Sequence, residues 1–407
     1  MPIAHEDAGF TPARRLAGLA LSEIVQISEA AAALKRDGRD IVSLATGEPD
    51  FPTPAHVIEA AHAAALAGQT KYPPTAGLPA LRAAIARTAP GPACTAAQIV
   101  VSTGAKQVIA SALLATLDPG DEVIIPTPYW TSYSDIVAMA GGTARLIPCG
   151  IEAGFKPSAA QIEAAITPRT RWLMLNSPSN PSGAVCSGAE LRALAEMLAR
   201  HPQVWVMSDE IYDQLAFVPF ASFRAVAPEL AGRMLVINGV SKAHSMTGWR
   251  IGWGIAPQPL IGAMTTVQGQ ITSGACTIAQ AAALAALTGP QHHLAERRAA
   301  MQARRDRVVA ALSAIDGLDC PRPEGAFYAF PSCRSVLGRT TPAGEVLGDD
   351  AALCHYLLHV QGVALVPGRA FGMPGHFRLS FAYSDGELDT GLARIARGIA
   401  ALGKGGV

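Results

Sequence analysis

Lys242 stands in the run Ser241-Lys242-Ala243-His244-Ser245-Met246-Thr247-Gly248-Trp249-Arg250, ahead of an apolar strand. A lysine amine can hold an aldehyde as an imine. A serine hydroxyl beside it and a guanidinium further on are natural donors to a phosphate. The run therefore has the layout of a Schiff-base lysine next to a phosphate site. The cofactor that carries both an aldehyde and a phosphate is pyridoxal 5'-phosphate (PLP).

Other runs could complete such a site. Ser102-Thr103-Gly104-Ala105-Lys106-Gln107 reads as a strand-to-helix junction. Free N–H groups and the helix dipole make that junction an anion site, or it is an ordinary turn. Val206-Met207-Ser208-Asp209-Glu210-Ile211-Tyr212 puts a carboxylate at the C-terminal end of an apolar strand, the edge where open α/β sheets bind ligands. Asp209 there could keep a pyridine nitrogen protonated, and Tyr212 could reach a ring hydroxyl. A solvated acidic loop, or an Asp that binds magnesium, is the alternative. Asn180, in the turn-rich Asn176-Ser177-Pro178-Ser179-Asn180-Pro181-Ser182-Gly183, offers an amide to the same hydroxyl, or is plain turn chemistry. Trp130, in Thr127-Pro128-Tyr129-Trp130, could stack on a flat ring or belong to the core. Arg378 lies inside the apolar strand Phe377-Arg378-Leu379-Ser380-Phe381. Burial there is expensive without an anion. A substrate α-carboxylate would serve, and so would a structural Asp or Glu.

The elements that must position these residues are legible. Strand runs at 98–102, 122–126, 144–148, 171–176, 204–208 and 234–238 alternate with helical runs, among them 104–117 and one opened by the capping box Ser187-Gly188-Ala189-Glu190. Such alternation predicts an α/β fold with a mostly parallel sheet covered on both faces. A long helix at 291–315, strands at 326–330, 363–366 and 377–381, and a helix at 386–401 predict a smaller α+β part. Residues 1–12, 339–348 and the Gly-rich tail read as loops. A chain of 407 residues exceeds what one core supports. The predicted division is a small domain from 1–47 and 290–407, and a large cofactor-binding domain from 48–289.

Composition excludes some classes. Lys+Arg and Asp+Glu are 32 each, so no net charge draws the chain to nucleic acid or to an anionic membrane. Seven cysteines without CxxC or zinc spacing suit reduced thiols, no metal and a cytoplasmic setting. No apolar run is long enough for a bilayer, and Leu16–Leu21 after Arg14-Arg15, faintly like a signal peptide, reads as the start of an amphipathic helix because Glu23 and Gln26 interrupt the apolar run.

Together these runs resemble the class I aminotransferases of PLP fold type I, and within them the bacterial aspartate aminotransferase subgroup with a Gly-Glu-Pro-Asp-Phe motif, here Gly47 to Phe51. Lys71-Tyr72-Pro73-Pro74-Thr75-Ala76-Gly77, Pro128-Tyr129-Trp130, Asn180 to Gly183, Ser208 to Tyr212, Ser241 to Gly252 and Gly325-Ala326-Phe327-Tyr328 carry the likeness from about Leu21 onward. The resemblance implies an imine lysine and base at Lys242 and a pyridinium partner at Asp209. Tyr212 and Asn180 would bond the ring hydroxyl, and Trp130 would stack. Ser241, Arg250 and the backbone at Gly104, Ala105 and Lys106 would hold the phosphate. Arg378 would bind the α-carboxylate, and Gly47 would belong to a segment that closes over substrate. Tyr72 would reach the phosphate of a neighbouring subunit, which makes a homodimer with shared sites, and Ser273 would also cross that interface.

The implied reaction exchanges an amino group between an amino acid and a 2-oxo acid such as 2-oxoglutarate. Lys106 stands where the subgroup attracts a distal carboxylate, which favours aspartate or glutamate; a helix-start lysine bonded to a neighbouring acid is the alternative. Ile24, in Leu21-Ser22-Glu23-Ile24-Val25, aligns where aspartate/prephenate members carry threonine, which weakens prephenate as a substrate. Aromatic or neutral donors, or a C–S lyase of the same fold, remain as alternative enzymes. A regulator built on this fold would need a DNA-binding module, for which the first 20 or so residues are too short.

Overall fold

Residues 11–403 are described in a computed structural model. The chain enters through α1 (Glu23–Arg36), β1 (Val42–Ser43), α2 (Ala55–Leu66) and α3 (Pro79–Thr88). Alternation begins at β2 (Ile99–Ser102) and α4 (Ala105–Thr116). It continues through β3 (Glu122–Thr127), α5 (Ser132–Met139), β4 (Thr143–Pro148), α6 (Ala159–Ala165), β5 (Thr170–Asn176) and α7 (Gly188–Leu198). β6 (Trp205–Asp209), α8 (Phe223–Val226), β7 (Met234–Gly239) and β8 (Gly252–Ile255) complete it. Next come α9 (Gln258–Ile271), α10 (Thr277–Thr288) and α11 (His292–Ser313). β9 (Tyr328–Ala329), α12 (Asp350–Gln361), β10 (Val363–Ala364), β11 (Val366–Pro367), β12 (Phe377–Ser380) and α13 (Asp385–Ala400) follow.

Seven strands form one sheet in the order β2-β8-β7-β6-β5-β3-β4. β8 pairs antiparallel with both neighbours, and the other pairings are parallel. Both faces are apolar because successive side chains of a buried strand point to opposite sides. Leu173, Leu175, Val206 and Val236 pack with α2, α3, α7 and α10 on one face. Trp172, Met174, Met207 and Leu235 pack with α4, α5 and α9 on the other. Each such side chain contributes about 1.5–3 kcal/mol by leaving water. The register sets Asn176 beside Asp209 at the C-terminal edge.

A second core gathers Phe327, Tyr328, Phe377, Leu379 and Phe381 with α11, α12 and α13. Its strands form a three-stranded sheet, β11-β12-β9, and a two-stranded one in which β1 pairs parallel with β10. Val42 faces Val363, so the segment before residue 47 is tied to the C-terminal part of the chain.

Several local expectations need correction. The run 363–366 is two strands, since β10 pairs with β1 while β11 pairs antiparallel with β12. The run 326–330 is regular only at Tyr328–Ala329, because Ala326 has a φ of 57° and breaks the extended backbone. Residues 339–348 are not a free loop: Thr340 bridges to Val346 and Gly403, and Leu347 is buried in the second core. The capping box forms as read, with the Glu190 N–H donating to Ser187 Oγ at 3.2 Å and the Ser187 N–H donating to Glu190 Oε2 at 2.7 Å. Residues 1–10 and the tail from 404, both read as loops, lie outside the described residues.

Candidate active site

The C-terminal ends of β5, β6 and β7 and the start of α4 surround one cavity of about 330 Å³. Lys242, Asp209, Tyr212, Asn180, Ser241, Arg250, Ala105, Lys106, Trp130, Gly47 and Arg378 all line it. Residues as far apart in sequence as Gly47 and Arg378 therefore share one space: parallel strands deliver their C-terminal loops to one edge, and the smaller sheet brings Arg378 to it.

Asp209 ends β6 and is buried. Its Oδ2 accepts from the Tyr133 hydroxyl at 2.7 Å and its Oδ1 from the Ile211 N–H at 3.2 Å. Burial pushes its pKa up to about 6, against the hydrogen bond from Tyr133, the Ile211 N–H and the charge of Lys242. No ion pair involving Asp209 is present among the described residues. A buried carboxylate in that condition suits a cationic ring nitrogen and disfavours the reading as a solvated acidic loop.

Lys242 follows β7, and its Nζ donates to the Gly47 carbonyl at 2.7 Å. Desolvation lowers its pKa to about 8, opposed first by Glu48. An amine in that range supplies its neutral, nucleophilic form near physiological pH.

The phosphate-type donors converge at the other end. Gly104 caps α4 with φ 82° and ψ 163°, a conformation nearly restricted to glycine. A Cβ on Gly104 would lie 2.6 Å from Arg250 Nη2, so the glycine is what lets the guanidinium cross the helix start. Arg250 is itself left-handed at φ 57°, which turns it back over that point, and its Nη1 donates to the Thr247 carbonyl at 2.8 Å. Gly104 itself does not line the cavity; its neighbour Ala105 does.

Arg378, on β12, is 1% exposed and meets no carboxylate. Nη1 donates to Asn180 Oδ1 at 2.8 Å, Nη2 donates to the Ala45 carbonyl, and Nε has no partner. The structural ion pair that sequence left open is thus absent among the described residues. The bond to Oδ1 also leaves Nδ2 as the free end of the Asn180 amide. Lys106 likewise has no carboxylate bond: its amine lies 4.8 Å from the Trp130 ring centroid, and burial with the Arg250 charge lowers its pKa against Asp135.

Tyr72 lies elsewhere. It is 92% exposed and sits with Pro73, Thr272 and Gly274 around a separate surface hollow, which Ser273 adjoins in sequence. Sequence reading missed Tyr133, Tyr328, Glu48 and Thr247 as cavity residues. Tyr133 was within reach, since it follows Trp130 by three positions at a helix start. Glu48 stands in the Gly47–Phe51 motif, but nothing local gave it a role; its carboxylate accepts from the Thr247 hydroxyl, and both line the cavity.

A buried anion without a cation, an amine in its nucleophilic range, a helix start crossed by Arg250 and an arginine without an anion together fit PLP and an amino acid. The family model for aminotransferases of class I and II matches residues 39–395. The chain therefore belongs to the class I and II aminotransferases; it is a PLP-dependent enzyme of fold type I that catalyses transamination. It is similar to an aspartate aminotransferase of Rhizobium meliloti strain 1021, 51% identical over 396 residues, 96% of this chain and 97% of that one. An aspartate/prephenate aminotransferase of Cereibacter sphaeroides is 49% identical over 385 residues, 93% of this chain and 96% of that one. The crystal structure of the Rhizobium meliloti aspartate aminotransferase superposes with a TM-score of 0.94 at 51% identity, over 97% of this chain and 100% of that one. The Thermus thermophilus aspartate aminotransferase with maleate does so with 0.89 at 40%, over 95% and 99%.

Proposed function

We propose that the enzyme takes its amino group from aspartate or glutamate and passes it to a 2-oxo acid such as 2-oxoglutarate. The observation that carries this is a pair of cations on the cavity wall, Arg378 and Lys106, neither bonded to a carboxylate. Two cations suit a substrate with two carboxylates. The names of the relatives support the same donor. When bound, the cofactor supplies an electron sink for the pair left by a broken Cα–H bond. Ser241, Arg250 and the first N–H groups of α4 would hold its phosphate. Asp209 would keep a proton on the ring nitrogen, Tyr212 and the free end of Asn180 would bond the ring hydroxyl, and Trp130 would wall the ring. Arg378 grips the α-carboxylate and fixes Cα. Lys242 Nζ, once released and neutral, takes the Cα proton and returns a proton to complete the exchange.

Ile24, at the start of α1, lines the same cavity and offers no hydroxyl, so prephenate is disfavoured as an acceptor. Exposed Tyr72 and Ile271, together with the resemblance, support a homodimer in which Tyr72 completes the neighbour's phosphate site. The separate cores support a small domain from 1–47 and 290–407 around a large one from 48–289. Seven free cysteines, five of them buried, support a reducing, cytoplasmic setting. Among the described residues no helix is long and apolar enough to cross a membrane.

The test is a single-turnover scan. The loaded enzyme is mixed with each common amino acid, and the cofactor absorbance is followed to its amino form. Fast conversion by aspartate and glutamate, lost in Lys106→Ala and absent in Lys242→Ala, is expected. Conversion only by aromatic or neutral donors would overturn the donor. Release of ammonia without the amino form would indicate a lyase.

A further inference from the structure

Tyr328 touches three parts of the site at once. Its hydroxyl lies 2.9 Å from the Tyr212 hydroxyl. Its ring lies under the Arg378 guanidinium, 4.5 Å from centroid to carbon. Its hydroxyl also occupies the place where a side chain on residue 47 would begin: a Cβ built on Gly47 would sit on the Tyr328 oxygen. Tyr328 is 1% exposed, on β9, whose partner β12 carries Arg378. The phenol therefore comes from the same small sheet as the arginine and reaches the group that follows β6.

A buried phenol pair must divide its two protons. One hydroxyl donates to the other, and the remaining proton goes to a third acceptor. If Tyr212 donates to an oxygen in the cavity, its own oxygen must accept, and Tyr328 is placed to donate to it. A chain of two hydroxyls polarises the outer one and strengthens its donation. The ring has a separate effect. A guanidinium held over an aromatic face keeps its plane while its nitrogens remain free for in-plane bonds. With Nη1 on Asn180 and Nη2 on Ala45, the remaining rotation of Arg378 is limited by two aromatic rings, Tyr328 at 4.5 Å and Phe371 at 4.9 Å from the guanidinium carbon, of which Tyr328 is the one that also reaches Tyr212.

We propose that Tyr328 is a positioning residue for both ends of the reacting assembly. Its hydroxyl donates to Tyr212 and so sets the donor strength toward the cofactor's ring oxygen. Its ring, together with that of Phe371, sets the plane in which Arg378 receives a carboxylate. Gly47 is glycine because the phenol needs its Cβ space. The proposal rests on the reading of Tyr212 and Arg378 given above.

Two variants separate the two effects in the loaded enzyme. Tyr328→Phe removes the hydroxyl and keeps the ring. It is expected to raise the pH midpoint of the resting cofactor's absorbance change by about half a unit or more, the scale of one neutral hydrogen bond. Binding of two carboxylate probes, maleate and 3-phenylpropionate, should stay within about twofold. Tyr328→Leu removes the ring as well and should weaken carboxylate binding by about tenfold beyond Tyr328→Phe. Gly47→Ala should shift the absorbance midpoint in the same direction as Tyr328→Phe, with the double variant less than additive. If Tyr328→Leu does not fold, Tyr328→Met, which also lacks the aromatic face, takes its place in the carboxylate comparison. An unmoved or lowered midpoint in Tyr328→Phe overturns the hydroxyl's role. Equal carboxylate affinity in the Phe and Leu variants overturns the ring's role. None of these readouts requires aspartate to be the donor, so an error in the donor assignment shows separately, in the wild-type exchange scan.

Discussion

Glu210 follows Asp209 directly and is 3% exposed, yet its carboxylate faces no cation. Oε1 accepts from Ser208 Oγ at 2.9 Å, Ser222 Oγ at 3.0 Å and the Phe223 N–H at 3.0 Å. These bonds tie the end of β6 to the start of α8. Burial still dominates and raises its pKa from the ordinary 4.5 to about 7. The folded value exceeds the unfolded one, so between these limits the folded protein holds a proton that the unfolded chain has released. Stability therefore falls as pH rises through that window, and the loss is complete above about pH 7. Its full size is about 3 kcal/mol, from about 1.4 kcal/mol per pKa unit. Glu210→Gln keeps an Oε1 acceptor for the three donors and removes the ionisation. The variant should match wild type within about 1 kcal/mol at pH 5 and exceed it by about 2–3 kcal/mol at pH 8. The assay is urea unfolding of both proteins without added cofactor, at equal concentration so that association contributes equally. A difference that is constant with pH, or one that favours wild type at pH 8, would refute the argument from burial.

Arg378→Leu should lower kcat/KM for the amino donor by about 10²–10⁴, the loss of a buried charge-assisted contact. Its unfolding free energy should change by only about 1 kcal/mol, because relief of an unpaired buried charge offsets the stranded Asn180 and Ala45 oxygens; a large destabilisation with retained activity would make the arginine structural. Tyr133→Phe removes a hydroxyl that helps hold Asp209 charged, so in the cofactor-free protein the Asp209 pKa should climb above about 6 and cofactor binding should fall off at a higher pH than in wild type; an unmoved fall-off in absorbance titrations across pH would count against it. Gly104→Ala should cost about 1–3 kcal/mol through its left-handed φ of 82° and weaken cofactor binding by displacing Arg250, both measurable by unfolding and by absorbance titration.

Much of the fold was legible because it rests on local pattern. Short, nearly continuous apolar runs between helical runs marked β2, β3, β5, β6 and β7, and the capping box marked α7. Where tertiary pairing overrides local pattern, reading failed: nothing in Val363 to Val366 announces that its two halves belong to different sheets. The candidate site divides in the same way. The chemical types of Lys242, Asp209, Arg250 and Arg378, and their positions after apolar strands, were determined by the sequence alone. Only the tertiary structure decided that Arg378 has no carboxylate, that Asn180 turns its oxygen toward it, and that Tyr133 and Tyr328 bond Asp209 and Tyr212. The reason is physical. A residue's chemistry travels with its side chain, but its pKa and its free hydrogen bonds depend on what burial removes and which neighbours the sheet register brings within about 3 Å.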